Sequence, residues 1–512
     1  MKTGNLPPPR ILPSPAPIET PLSPPLAGRA WLPVTLGQYP PNNTRPVYSI
    51  VNFLRVEEQV TDNARLTSDS KDWDLISTSR LDTAITGPTH RSQFSFASTI
   101  SYQNFLANHE FGLANMGLQS FGQVDIIRRL AGADAHAAIS DILINPFGAG
   151  ATARPTGQGQ TRATTYDASG FVTPRFFNLV ESLFRARRSH VQFNDIGPGG
   201  ASGALTDATL DQLSGFVTTS TSEVRKWQMT VSGEDIRQGD TFRLYNGVYS
   251  LYVGEPNGIQ AVGRFGYENI SDPGITDLQG PIWSGGVILR PKGRSFIRVE
   301  YGQRYNKPTW DGNVSIALTS KLFVTGTYLR TLETLQARIH RSLTDITGQP
   351  PDPSLPVPNL PFPILLSLVN GTYLADDING GIIYLIDPVD PTSVRPGENT
   401  GHAGEFLLVD GTHSKRRNLF TGLNDNSQSY RARYGRELSR TVNLGIEFGY
   451  GKSLQTSPPV ANNQSFRVAF SLSYALTKRT EVTGTYSWAR NVPDIGSHVT
   501  ENVLGIRVIR RL

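Results

Sequence analysis

From Phe466 to Leu476 the chain alternates without a break. Phe466, Val468, Phe470, Leu472, Tyr474 and Leu476 are apolar, whereas Arg467, Ala469, Ser471, Ser473 and Ala475 between them are basic, polar or small. Successive side chains of a strand point to opposite faces, so this stretch reads as a strand with one oily face and one polar face. Its length matches a tilted strand crossing a bilayer, about 9–11 residues. A soluble fold would need a helix or a second sheet to cover each oily face. A transmembrane barrel needs only lipid.

The pattern recurs along the chain. Ile259, Ala261, Gly263, Phe265 and Tyr267 share a face opposite Gln260, Arg264 and Glu268. Ile297, Val299 and Tyr301 oppose Arg298, Glu300 and Arg304, and Val442, Leu444, Ile446, Phe448 and Tyr450 oppose Asn443 and Glu447. Phe94, Phe96, Ile100 and Tyr102 oppose Gln93, Ser95 and Thr99, while Val482, Tyr486 and Trp488 oppose Glu481 and Thr483. Aromatic residues close many of the oily faces. Tyr102, Tyr267, Tyr305, Tyr328, Tyr450 and Trp488 are expected to form the girdle at the headgroup layer, where an amphipathic ring is most at home.

Composition agrees. A mean hydropathy of −0.28 is polar for a helical membrane protein and ordinary for a barrel, in which only alternate residues meet lipid. The longest oily run, Ile364 to Val369, is too short for a spanning helix. The chain has no cysteine, which removes disulfides, thiolate chemistry and Cys-based metal sites. Its net charge of +5 is spread along the chain and not gathered in a stripe, which argues against a nucleic-acid partner. Residues 1–32 show no apolar core of a secretory signal, so export is expected to depend on a signal already removed or lying upstream.

The expected architecture is all-β: a transmembrane antiparallel up-and-down barrel of about 20 strands (16–20), with the least regular alternation in 107–240. Residues 1–46, rich in proline, are expected to be an extended periplasmic arm, and 47–512 the barrel. Leu318–Tyr328 and Leu476–Tyr486 repeat one hairpin pattern, with tight connections also at Gly254–Gly258, Pro291–Arg294 and Leu438–Thr441. Longer connections at 193–214, 271–281 and 335–428 alternate with them, which is the arrangement of short periplasmic turns and long extracellular loops. Segment 335–428 is expected to be a loop insertion, either a constriction within the lumen or a cover over the mouth.

Trp283, Gly286, Arg290-Pro291, Arg294, Gly302, Arg304 and Tyr305 stand in an order and spacing that resembles the PEP-CTERM system-associated outer-membrane β-barrel proteins, of the β-barrel porin 2 type. Thr61-Asp62-Asn63 and Gly266-Tyr267-Glu268 fit the same resemblance, which spans 48–334 and 405–512. It implies a Gram-negative outer-membrane barrel associated with exopolysaccharide production and protein sorting. It brings no catalytic residue. The C-terminal Arg510-Arg511-Leu512 departs from the aromatic ending common in such barrels.

For a pore, the residues that matter face inward. Alternation places Arg264, Arg298, Arg304, Arg431, Arg433, Arg467 and Arg507 there, with Glu268, Glu300, Glu447 and Glu481. Guanidinium groups on a wet wall favour anions and can grip carboxylate or phosphate, which points to a mildly anion-selective passage for a polar solute such as an acidic exopolysaccharide. A salt-bridged ladder filling a plugged barrel, docked to a surface-polymer system through its arm, is the competing expectation. Expected partners are outer-membrane lipid and lipopolysaccharide, polysaccharide, and periplasmic export proteins that meet the arm. The basic clusters Arg185/Arg187/Arg188 and Lys415/Arg416/Arg417 invite phosphate contacts.

Enzyme signals are poor. The eight histidines, His90, His109, His136, His190, His340, His402, His413 and His498, show no metal-binding spacing. His413-Ser414 is the one pair that could imitate a hydrolase site. Gly197–Gly203 lacks the lysine of a phosphate loop, and Asn424-Asp425-Asn426 and Asp376-Asp377 are weak calcium candidates. No cofactor, metal or catalytic residue is assigned.

Overall fold

The computed structural model describes residues 49–64, 72–88, 91–107, 113–127, 130–143, 160–176, 180–195, 206–219, 225–238, 240–255, 257–272, 278–290, 295–319, 321–340, 372–385, 405–419, 424–439, 441–455, 461–477, 479–493 and 498–512. Within them, apart from one two-residue strand, every strand pairs antiparallel with the strands next to it along the chain, and the first, β1 (Ser49–Thr61), pairs with the last, β23 (Val499–Arg511). Phe53 faces Arg511 and Thr61 faces Val503 across that seam. The two-residue β7 (Arg175–Phe176) is an appendage of β8 (Val180–Asp195), so the wall is a closed barrel of 22 strands, slightly more than the sequence suggested.

Closure leaves no backbone edge in hydrocarbon, and alternation does the rest. In β12 (Ile259–Ser271) the outward Ile259 and Phe265 are 67% and 64% exposed, whereas the inward Val262 and Ile270 are 4% and 5%. The same sorting holds in β21 (Ala461–Thr477), where Phe470, Leu472, Tyr474 and Leu476 all face outward. Oily side chains bare on the outside of a closed, even-numbered barrel have one fitting solvent, and the chain is an outer-membrane β-barrel. No helix among the described residues is long and apolar enough to cross a membrane.

Both ends of the sheet lie at one rim, here called the near rim. Its connections are tight at 255–258, 318–321, 440–441 and 478–479, with 386–404 as the exception. The far rim carries 62–73, 144–159, 196–207 and 335–371, besides the tight Tyr305–Asn306. By the usual sidedness the near rim is periplasmic.

Two expectations change. Segment 335–428 is not one insertion, because β17 (Thr372–Leu385), β18 (Glu405–Asn418) and the start of β19 (Asn424–Ser439) lie within it. Tyr305 does not join the girdle. It and Asn306 take positive φ, 52° and 55°, to make the two-residue turn between β14 (Phe296–Arg304) and β15 (Lys307–Ala317). That turn breaks the alternation and buries the ring completely, under the Arg304 guanidinium 4.8 Å away. Tyr102, Tyr267, Tyr328, Tyr450 and Trp488 remain on the outward face. The 1–46 arm lies outside the described residues.

Leu472 stands in the middle of the lipid belt. Leu472→Arg should cost about 2–4 kcal/mol. Urea unfolding of the protein in phospholipid vesicles measures it, and an unchanged midpoint would contradict the outward assignment.

Candidate functional site: the barrel lumen

The inner wall divides into a paired, buried sector and a more open one. On β12 and β14, Arg264 lies 3.3 Å and Arg298 2.6 Å from Glu300, and Ser284 on β13 (Gly280–Leu289) donates to the same carboxylate at 2.9 Å. Glu268 accepts from the Tyr305 backbone N–H and, at 3.4 Å, from Arg304. All five charged groups are buried. The strands approach so closely here that a Cβ on Gly286 would sit 2.2 Å from the Val299 carbonyl and one on Gly302 1.9 Å from that of Trp283. Glycine at these inward points gives the crossing side chains their room. Arg264, Arg298, Arg304, Glu268 and Glu300 face inward and form a buried ion-paired ladder, not a free anion surface.

The sector from β18 to the seam differs. Arg431, buried, pairs with the half-buried Asp410 at 3.0 Å, and Arg433 with Glu447 at 3.0 Å, the latter pair partly open. Arg467 is exposed, Arg507 is half-buried, and Glu481 accepts from Thr483 at 3.1 Å. The sequence reading missed a charged cluster on β1 and β2 (Asp74–Pro88), beside the seam. Arg55 on β1 and Arg80 on β2 are directly opposed, and the buried Asp82 sits 3.8 Å and 2.7 Å from them. The inward positions 53, 55, 57 and 59 hold Phe, Arg, Glu and Gln, a mixture that hides the alternation.

The far half of the lumen is occupied. After β16 (Leu322–Thr334) the chain turns inward as one short helix, α1 (335–340). Thr334 caps it by accepting the Ala337 N–H at 3.2 Å. Leu335, Ala337 and Ile339 are buried against inward residues of the wall, among them Ala163, Val191, Leu210, Ile236 and Ile270. Eight strands, β8 to β15, separate β16 from β6 (Gln160–Val172) along the wall. Yet His340 at the end of α1 reaches Asp167 of β6, Nε2 to Oδ2 3.4 Å. The helix thus bridges two distant parts of the barrel. The remainder, 341–371, lies outside the described residues.

Asp167 is itself gripped by Arg187 at 2.6 Å, and next to it Asp134 binds Arg185 at 3.0 Å and His136 at 3.4 Å. Asp134, His136 and Asp167 offer metal-type ligand atoms within 4.8 Å of one another. A cation there would meet two guanidinium groups already holding both carboxylates, so the cluster is an ion-pair anchor. Alternation also separates residues that the sequence sets side by side. Arg185 and Arg187 are buried inside and Arg188 is outside. Ser414 faces in, bonded to Asp377, while its neighbour His413 faces out, so the pair has no hydrolase geometry. Asp376 faces out and Asp377 in, and Asp425 points in between the outward Asn424 and Asn426, which dissolves both calcium candidates.

No family model matches the chain and no curated protein matches it. Among solved structures it is similar to the outer membrane protein OpdK of Pseudomonas aeruginosa, at 7% identity over 91% of this chain and 99% of that one, TM-score 0.35. It is similar to the anion-selective porin of Comamonas acidovorans, at 8% identity over 91% and 100%, TM-score 0.33. The FrpB iron transporter of Neisseria meningitidis gives 10% identity over 90% and 81%, TM-score 0.49. Likeness this slight leaves the function to be argued from the chain's own residues.

The anchor generates a clear expectation. Asp167→Ala strands the buried Arg187 without its counter-charge and should cost about 3–5 kcal/mol, whereas Asp167→Ala with Arg187→Met should recover much of it. Unfolding midpoints of the two variants in one detergent measure the difference.

Proposed function

We propose that this barrel is a porin-like passage for anionic polar solutes, narrowed on its far side by α1. The supporting observation is the division of the inner wall. Arg467 and Arg507 carry no carboxylate within ion-pair distance among the described residues, and the neighbouring Arg433–Glu447 pair is partly open to water. Such a surface attracts carboxylates and phosphates into a wide lumen without holding them so tightly that they stay. An acidic exopolysaccharide, the solute suggested by the resemblance to the PEP-CTERM-associated barrels, presents the same groups along a chain.

The second reading is a plugged barrel serving as a docking body. The buried seat of α1 and its anchor at Asp167 favour it. Planar-bilayer recording separates the two. The first predicts steady conductance with a reversal potential in a KCl gradient that shows chloride preference, and Arg431→Gln, Arg433→Gln and Arg467→Gln together should move that potential toward the ideal non-selective value. Cation preference in the native protein would end the anion reading. A silent native barrel that conducts once Leu335→Asp and Ile339→Asp expel α1 from its apolar seat would establish the plug.

A further inference from the structure

The outward face of β18 to β22 (Thr480–Pro493) holds a surface that neither the passage nor the anchor uses. Its lower part is oily: Leu407 and Val409 on β18, Phe448 on β20 (Val442–Gln455), Phe470 and Leu472 on β21. Above lies an aromatic row in which Tyr430 stacks on Tyr450 at 6.2 Å and Tyr450 tilts against Phe466 at 5.0 Å. Beyond that row, toward the far rim, come three outward cations, Lys415, Arg417 and Lys452, and a fourth, Arg490, stands level with the row opposite Phe466.

Beside them the register places amides, with the apolar Leu454 and Val492 and the imidazole of His413 among them. Asn426 faces Lys415, Asn424 faces Arg417, and Gln428 and Gln464 flank Lys452. No outward position described on these five strands beyond the aromatic row is a carboxylate. The adjacent Asp376 on β17 is held by both arms of Arg330, at 2.5 and 3.0 Å, and by Tyr328 at 3.0 Å. Elsewhere the far rim balances its outward arginines. Arg188, Arg237 and Arg243 on β8, β10 (Arg225–Gln238) and β11 (Asp240–Gly254) share Asp211 and Asp235 at 3.4–3.7 Å. The β18–β22 surface is the unbalanced one. Arg416, within the same basic triplet, points into the barrel and takes no part.

We infer that this surface binds the phosphorylated headgroup of an outer-leaflet glycolipid of the lipid A type. The chemistry matches in each layer: acyl chains against the oily strip, the sugar at the aromatic row, and phosphates among the cations and amides directly above it. A glycolipid is favoured over a soluble anion because the cations sit at the border of the lipid belt and face away from the lumen.

The test uses the full-length folded protein in a mild detergent, with diphosphoryl lipid A as probe and native mass spectrometry or equilibrium binding as readout. Lys415→Gln, Arg417→Gln, Lys452→Gln and Arg490→Gln combined should weaken binding by at least about tenfold, given about 1 kcal/mol per basic residue at an anionic lipid surface. Arg188→Gln, Arg237→Gln and Arg243→Gln combined should leave binding within about twofold, because those charges are already shared with aspartates. Heat-modifiable migration confirms that both variants are folded, and the four single substitutions serve if the quadruple variant is not. Monophosphoryl lipid A should bind less tightly than the diphosphoryl form. Equal binding by the quadruple variant and the native protein would overturn the inference. Phosphatidylglycerol binding as tightly as lipid A would overturn the glycolipid assignment in favour of any anionic lipid.

Discussion

Satisfying backbone hydrogen bonds where no water is present governs this molecule. A strand in hydrocarbon must give every N–H and C=O to a neighbour, and a sheet can do that for all its strands only by closing. The pairing of β1 with β23 is that closure. Once it exists, each strand has an inside and an outside, and a period of two in sequence becomes a sorting of side chains between lipid and lumen. The adjoining β1–β2 pair carries its own cost. It sets Arg55 directly opposite Arg80, and like charges in cross-strand pairs repel. Asp82, buried between them and bonded to Arg80 and Thr99, offsets the repulsion from within the wall.

The same sorting explains why runs of charge in sequence are poor guides to sites. Lys415, Arg416 and Arg417 look like one basic cluster, as do Arg185, Arg187 and Arg188. In a strand each run is divided between two environments roughly a wall's thickness apart. Arg185 and Arg187 join the aspartates that hold α1, and Arg188 joins a surface ion-pair row. The informative unit is the set of alternate residues on one face, read together with the register that brings other strands alongside.

How much was legible follows from the contrast between faces. In β20 and β21 the outside is oily and the inside polar, glycine or alanine, so face, strand and much of the inward charge could be read directly. In 107–240 the contrast collapses, for two reasons visible in the structure. The lipid face of β5 (Ala131–Leu143) is built from Ala131, Ala133, Ala135 and Ala137, which are barely oily. The inward face of the neighbouring strands is apolar near the far rim, with Val191, Phe193, Leu210 and Ile236 buried against α1. Inside and outside then look alike. β17 and β18 were hidden differently: Asp376-Asp377, Gly380-Gly381 and Lys415–Arg417 interrupt their oily pattern, and proline-rich stretches flank them. The anchor of α1 was invisible because His340 and Asp167 meet only through the fold.

The apolar lining and α1 are consequences of one another. A wide barrel has far more inner surface than its own side chains can cover, so an apolar inner patch is stable only if something sits on it. Residues 335–340 are short for a helix, too short to hold themselves together in water. Their stability comes from the wall: a threonine cap at one end, three apolar side chains in the patch, and a histidine on a carboxylate already fixed by arginine. The wall in turn is committed to carrying the segment, because Val191, Leu210 and Ile236 would otherwise face a wet lumen. α1 and its apolar seat thus make a packed interior on one side of this lumen, and the inward Arg431, Arg433, Arg467 and Arg507 lie on strands that take no part in it.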